Sequence, residues 1–590
     1  MASLYDSASL VMIPSGVKED KLYSIKPTDG SGDFTFSRGS DIQATRVNSS
    51  GLIEKAKENL LLQSNQFDTT WGSAGTTETG GQSGYDGTND AWLLQRIDGS
   101  SRYLYQYLSY SGLGTFSIYL KSGNVDWVLL SNGSGENRYF DLANGVLGVT
   151  GSAIDSKIES VGGGWYRCSI AVANSSELRV YPAVGDGAVS GLSGANIYIQ
   201  DAALCHGLIA QDYVETTTTA VVEGLTADLP RLDYSGGASC PSLLLEPSRT
   251  NLMPYSEWFD GWGSKTGVTY TANTDISPEG KQNASTLTST GAAASGQFYE
   301  QFVPADNATY TASFLVKKDT DQTRFPVFFL RLQSSNIIET YLSVNTQTGA
   351  FSVYYSTGVT DEDVVSFNSD YWLVTIKVTN DASGNSILRC GIIPAFGTTL
   401  GGYNANTAGS IVVYSAQLEE GSYPTSYIPT YGTAANRGGE VCNNTSATSL
   451  IGQTEGVLFL DFNIEDISLQ TQDPVLIYLK NSSGITSYLE MYDNGNLTAV
   501  HLNSGSITLT ASGLTDGRHK AAFAYKDNDF AFYVDGNLAG TNTNFDVASS
   551  QTEIGLQYTS IAYRGKQSVN QTLLFKTRLT NAELAALTTI

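Results

Sequence analysis

A chain of 590 residues is longer than one hydrophobic core supports, and 41% hydrophobic residues is ordinary for folded protein, so three or four packed domains are expected. Charged residues are only 15%, while 60 glycines and 34 tyrosines accompany many Ser, Thr, Asn and Gln, a mixture that suits strands and turns and disfavours helix interiors. The net charge of −25 sets the chain against phosphate backbones and excludes nucleic acid as an expected partner. No run of 18 apolar residues is present, so no membrane insertion is expected. The start, Met1-Ala-Ser-Leu-Tyr-Asp6, has neither a basic nor an apolar leader region, which points to synthesis in a cytoplasm without an export signal. Five scattered cysteines without a CxxC pair and three histidines offer neither a disulfide framework nor a zinc site.

In chain order, residues 1–35 hold only short apolar runs, Leu10-Val-Met-Ile-Pro14 and Lys21-Leu-Tyr-Ser-Ile-Lys26, too few for a core of their own. They need a surface to bury against, either the first domain or a neighbouring chain. Phe36-Ser-Arg-Gly-Ser40 through Ala44 to Glu54 reads as a hairpin turning at Ser50-Gly51. A set of landmarks then occurs twice. Glu58-Asn-Leu-Leu-Leu-Gln-Ser-Asn-Gln-Phe-Asp68 with Trp71-Gly-Ser returns as Arg249-Thr-Asn-Leu-Met-Pro-Tyr-Ser-Glu-Trp-Phe-Asp260 with Trp262-Gly-Ser. A strand ending in lysine follows each (Phe116 to Lys121, Ser313 to Lys317), then a tryptophan strand (Trp165, Trp372), then a closing strand and tail reaching Tyr213 and Tyr427. Four landmarks in one order, twice, mark a duplication. The first copy reads as an insertion, because the thread of the hairpin resumes at Asp228 to Gly237 and Ser242-Leu-Leu-Leu-Glu246. Beyond Gly438 a new strand series runs from Gly456 to Phe575 with a turn at Asp535-Gly536, and Thr580 with Glu583 caps a short helix over 581–587.

The expected fold is all-β, tandem β-sandwich domains followed by a further sandwich. The expected domains are an N-terminal segment and hairpin (1–54), copy 1 (55–220), a linker with the resumed thread (221–239), copy 2 (240–437) and a last sandwich (438–590).

No nucleophile elbow with a histidine partner, metalloprotease helix or phosphate loop occurs, and no enzyme is expected. The aromatic pattern is more informative. In Arg102-Tyr-Leu-Tyr-Gln-Tyr-Leu108, Tyr103, Tyr105 and Tyr107 alternate, so a strand places all three on one face. That face either packs inward or offers flat rings with polar tips to sugars, and the three tyrosines are the candidate carbohydrate-binding residues. Phe298 and Phe302 in the second copy read as core, so the row is not simply repeated. Trp165 and Trp372 read as core. Trp71 and Trp262, in loop-like segments beside glycine, are the further carbohydrate-binding candidates. The acidic stretches Asp86 to Asp90, Asp361 to Asp363 and Asp527 to Asp529 carry oxygen ligands that suit calcium, although none has a complete calcium-loop spacing.

Arg46-Val-Asn through Glu54, Pro230-Arg-Leu-Asp-Tyr234 and Leu243-Leu-Leu-Glu-Pro-Ser-Arg-Thr-Asn-Leu252 resemble phage virion proteins of the head-spike or head-fibre domain type, over residues 1–435. The resemblance implies carbohydrate-binding-module-like sandwiches of jelly-roll form and a spike, fibre or tail-associated role. It implies virion partners docking through residues 1–35, cell-surface or environmental glycans as ligands, and a homo-oligomer with a trimer favoured. His519, Tyr525, Tyr533-Val-Asp-Gly536 and Leu579-Thr-Asn-Ala-Glu-Leu584 resemble the concanavalin A-like, laminin-G-like lectin fold. Glycosidases of that fold carry several carboxylates along one strand; Glu490-Met-Tyr-Asp493 lacks the third. The expected function is structural and adhesive, with a purely structural decoration or collar protein as the alternative and a depolymerase as the third reading.

Overall fold

The computed structural model describes residues 2–291, 296–404, 406–464, 473–558 and 565–590. The fold is all-β, and each of its three sandwiches encloses its own apolar core. In copy 1, strands Leu104–Ser122 and Trp165–Ala183 run through both layers, folding over where their pairing shifts register between Tyr107 and Leu113. Gly112 takes φ +101 at this bend, and a Cβ there would sit 2.0 Å from the Tyr431 carbonyl oxygen, so glycine is required. In copy 2 the corresponding path is broken into Gln297–Phe302 and Thr309–Lys317, with Pro304 between them. Proline has no N–H for a ladder, and copy 2 accordingly forms two separate sheets.

The repeated string explains itself in hydrogen bonds. Buried Asn59 donates to the carbonyls of Ala202 and Val214 and accepts from the N–H groups of Leu61 and Leu204. Its counterpart Asn251 donates to the Ile428 carbonyl and accepts from Met253 and Leu418. Ser64 accepts from the Thr216 N–H and contacts the Tyr213 hydroxyl; Ser256 does the same with Thr430 and Tyr427. In both copies, therefore, one Asn and one Ser clasp the closing strand and tail to the opening segment.

The third sandwich corrects the expected boundaries. Leu10–Met12 pairs with the final strand Gln567–Phe575, with Leu10 opposite Leu574. Ser242–Leu245 pairs with that same final strand, and Leu232–Asp233 extends the sheet from there. Phe34–Ser37 pairs with Val441–Asn444 in the facing sheet. Leu10, Met12, Leu22, Phe34, Phe36, Leu243 and Leu245 lie in one core with Leu458, Phe462, Phe523 and Leu574. Residues 1–35 thus bury against the last sandwich rather than against the first domain or a neighbouring chain, and the thread resumed in 221–239 belongs to that same sandwich. Both duplicated sandwiches are excursions from a domain whose strands come from three distant parts of the chain. The hairpin forms over Thr45–Val47 and Ile53–Lys55, with Gly51 at φ +75, while Phe36, expected at its start, pairs with Cys442 instead. The capped helix spans Asn581–Thr588 and buries Leu584 against the outer face of this sandwich, beside Ala8 and Val11.

At the meeting point of these excursions lie five fully buried charged side chains, Arg38, Arg231, Arg437, Glu246 and Glu440. Arg231 bonds Glu440 at 2.5 and 2.6 Å and Glu246 at 2.9 Å. Arg437 meets Glu246 at 2.9 Å, and Arg38 meets Glu440 at 3.3 Å. Burial opposes the charge on Glu246, but Arg437 and Arg231 outweigh it and hold the carboxyl well below its ordinary value. Nearby, Lys55 of the hairpin enters copy 2, pairing with buried Glu257 and Glu279 between the rings of Tyr414 and Tyr427.

Removing one charge from such a cluster strands its partners. Glu246→Gln should destabilise the chain by about 3–5 kcal/mol at pH 7 in urea unfolding. Because the folded pKa of Glu246 is depressed, its contribution is present above the ordinary value of 4.5 and is lost as pH falls below it. The gap between wild type and variant should therefore narrow on going from pH 7 to pH 3; a constant gap would show that the carboxylate does not act through its charge.

Candidate functional site

The tyrosine row forms one wall of a surface on the solvent side of copy 1. Leu104 and Gln106 point inward, which turns Tyr103, Tyr105 and Tyr107 outward by the period-two geometry of a strand. Tyr107 is 71% exposed, Tyr103 and Tyr105 are half-buried, and the sequence expectation that all three share a face is met. Their rings succeed one another at 5.7 Å (Tyr103 to Tyr105) and 4.8 Å (Tyr105 to Tyr107). Register carries the surface across the sheet. Arg179 lies opposite Tyr105 and Glu177 opposite Tyr107, while Tyr181 pairs with Leu129, which pairs with Tyr139. Buried Tyr139 and Tyr181 form the floor, with Tyr181 4.6 Å from Tyr103. The Arg179 guanidinium lies 4.7 Å over the Tyr103 ring, donates to the Tyr181 hydroxyl at 3.1 Å and pairs with Glu177.

Gly72, paired with Tyr105, makes this shape possible, since a Cβ there would sit 2.4 Å from the Tyr105 ring. The ring lies across the bare backbone instead of standing away from it. Burial raises the phenol pKa of Tyr139 and of Tyr181, and the neighbouring Tyr105 raises that of Tyr107. These hydroxyls are therefore neutral at physiological pH and can both donate and accept. Flat rings with neutral hydroxyls and one fixed cation match the apolar faces and equatorial hydroxyls of a saccharide.

Copy 2 carries a second aromatic row that reading along the strands misses, built over a buried Phe329. Tyr299, Gly391, Phe329, Tyr341 and Tyr355 are successive cross-strand partners, so they form a row across five strands on the outer face. Phe329 and Tyr341 stack at 5.0 Å with 8° between planes, and Arg389 lies 4.9 Å over Tyr299. Gly391 repeats the device of Gly72, its absent Cβ leaving room for the Phe329 ring at 2.4 Å. Four of the five strands contribute one aromatic residue and the fifth contributes Gly391, and only the pairing register brings them together. Tyrosine or phenylalanine recurring once in each of several successive strands is the signal that could have found it.

Trp71 and Trp262 are corrections. They are 8% and 2% exposed, sit in the cores of copies 1 and 2, and donate their indole N–H groups to the carbonyls of Gln63 and Tyr255. Each packs on a phenylalanine, Phe67 at 5.2 Å and Phe259 at 5.0 Å, so neither presents a face to a ligand. Trp165 is buried as expected, whereas Trp372 is half-buried beneath Lys318. The calcium expectation finds no cage: among the described residues no three His, Cys, Asp or Glu side chains are grouped to hold a metal. Asp86 and Asp90 accept from Thr88 and Gln200, Asp361 pairs with Lys377, and Asp529 pairs with Arg578. Glu490 is buried and accepts from the Tyr492 hydroxyl at 2.8 Å, and burial raises its pKa.

No protein-family model matches the chain, and no curated protein sequence matches it. Among solved structures, the chain is similar to the CBM40 module of Ruminococcus gnavus IT-sialidase bound to alpha2,3 sialyllactose. That match has 15% identity and a TM-score of 0.22, covering 24% of this chain and 87% of that one. It is also similar to the botulinum neurotoxin type G receptor binding domain, at 8% identity and a TM-score of 0.21, covering 25% of this chain and 38% of that one.

The burial difference among the aromatic candidates is directly testable. Trp71→Ala and Trp262→Ala should each cost about 3–5 kcal/mol in urea unfolding. Tyr107→Ala should change stability by no more than about 0.5 kcal/mol, as for an exposed side chain outside the core. Equal losses for all three would place Tyr107 in the packing rather than on a free surface.

Proposed function

We propose that the chain is a non-catalytic, glycan-binding adhesive protein whose ligands lie on the aromatic outer faces of its duplicated sandwiches. The observation that carries this reading is the row Tyr103, Tyr105 and Tyr107, aligned outside the core over Tyr181 and Tyr139. The resemblance of residues 1–435 to head-spike and head-fibre proteins supports placing this activity on a phage virion, as a spike, fibre or tail-associated component. A rigid junction suits that task, because a projecting adhesin must hold its binding faces away from the particle. With residues 1–35 folded into the last sandwich, attachment to other virion proteins falls to the outer surface of that sandwich rather than to a loose arm.

The alternative of a structural decoration or collar protein has its own supporting observation. The edge strands Val146–Thr150 and Phe351–Thr357 are largely exposed, and neither carries the lysine or proline that blunts a free edge. Both readings are served by a homo-oligomer, with a trimer favoured, in which such edges are covered.

A glycan array probed with the whole chain and with a Tyr105→Ala, Tyr107→Ala double variant tests the binding reading. Two lost ring contacts should weaken binding at least about tenfold. Unchanged signals in the variant, or flat arrays with the wild type, would overturn glycan binding by this face. Light scattering at micromolar concentration should show a multiple of the monomer mass; the monomer mass alone would overturn self-association.

A further inference from the structure

We propose that the cleft between the two duplicated sandwiches binds the anionic group of an acidic polysaccharide, through Arg167 of copy 1 and Lys281 of copy 2. This inference rests on reading the chain as a glycan binder and names a ligand class for a site separate from the tyrosine face.

The cleft is a cavity of about 530 Å³, walled on one side by strands Asp155–Gly162 and Trp165–Ala183 and on the other by the turn joining Val268–Ile276 to Gln282–Ser289. It continues into a second cavity of about 160 Å³, sharing Leu208, Ile209, Asp212 and Lys281 with it. Asn273 bridges the two sandwiches, donating its amide to the Asp155 carboxylate and to the Leu208 carbonyl. The walls are thereby held together around a preformed space.

Most of the charges there cancel in pairs. Lys157 pairs with Glu159 at 2.7 Å, and Lys57 pairs with Asp212 at 2.5 Å. Asp155 is hydrogen-bonded by Asn273, and burial pushes its carboxyl up. Two cations, Arg167 and Lys281, form no direct ion pair among the described residues; after the Lys57 hydrogen bond, their charges help to hold the Asp212 carboxyl below its ordinary value. In a chain of net charge −25, a cleft that offers two cations free of a direct ion pair beside one such carboxylate, Asp155, runs against the background.

Arg167 is also held in place. Its guanidinium lies 5.6 Å over the Tyr119 ring, which stacks on Tyr85 at 3.9 Å and 4°. One terminal nitrogen donates to the Gln211 carbonyl and to the Ser117 hydroxyl. Its Nε is buried without a partner, and so is the side-chain oxygen of Asn273, which lines the same cleft. Glu159, opposite Arg167 in register, turns to Lys157 instead. A carboxylate entering the cleft would meet a preorganised guanidinium and an ammonium. Asn273, Ser156 and Gln282 supply partners for ring hydroxyls, and Leu208, Ile209 and Ile276 supply an apolar wall for a ring face. That combination is the chemistry of a uronic acid residue rather than of a bare anion.

The test is titration calorimetry of the whole chain with galacturonate oligomers and with neutral dextran oligomers. The variants are Lys281→Gln, Arg167→Gln and the Tyr105→Ala, Tyr107→Ala pair, each checked for an unchanged unfolding midpoint. Galacturonate oligomers should bind more tightly than dextran oligomers. Loss of one charge-assisted contact should weaken galacturonate binding about tenfold or more without affecting neutral glycans. Lys281→Gln keeps the test decisive if Arg167→Gln disturbs the ring stack. Equal affinity for charged and neutral oligomers, or galacturonate binding indifferent to both cleft variants, would overturn the inference. Galacturonate binding lost with the cleft variants but kept by the tyrosine pair would support it even if the tyrosine face binds nothing.

Discussion

Three guanidiniums and two carboxylates, all withdrawn from water, set the architecture of this protein. They come from the segments at which the chain leaves and re-enters its last sandwich: Arg38 before the hairpin, Arg231 and Glu246 between the duplicated copies, Arg437 and Glu440 after the second. Desolvating five charges is costly, and their mutual attraction offsets that cost only when every partner is present. The cluster therefore acts as a condition on assembly. Excursions of roughly two hundred residues must return their ends to one point before the charges are satisfied.

The duplicated sandwiches share what closes them and differ in what they display. Asn59 and Asn251, with Ser64 and Ser256, make the same backbone clasps, because each opening segment must satisfy the polar groups of its own closing tail. Trp71 and Trp262 fill the same place behind them. On the outer faces no such requirement acts. Copy 1 there aligns tyrosines along a strand, while copy 2 aligns aromatic rings across strands. Both faces lay a ring over a glycine, Tyr105 over Gly72 and Phe329 over Gly391, and so gain a flat platform without enlarging the sheet.

The connections between sandwiches fix their placement relative to one another. Lys55 locks the hairpin into copy 2, Tyr431 packs on His206 of copy 1, and Asn273 ties copy 2 to Asp155. Two aromatic faces and the cleft between the copies are consequently held in fixed relation.

Composition and periodicity by themselves determined the all-β class, the duplication, the hairpin turning at Gly51, the capped terminal helix and the common face of Tyr103, Tyr105 and Tyr107. Each of these is local: alternation along a strand, a turn residue, a cap three residues from its partner. Tertiary structure alone decided which side of the sheet faces water, and so separated the outward tyrosines from the buried Trp71 and Trp262. It alone paired Leu10 with Leu574, assembled Tyr299, Phe329, Tyr341 and Tyr355 into a row, and brought Arg167 to the same cleft as Lys281. The physical reason is that strand alternation specifies which residues share a face but carries no information about the partner strand. Partners and register are chosen by burial and hydrogen-bond satisfaction between segments hundreds of residues apart.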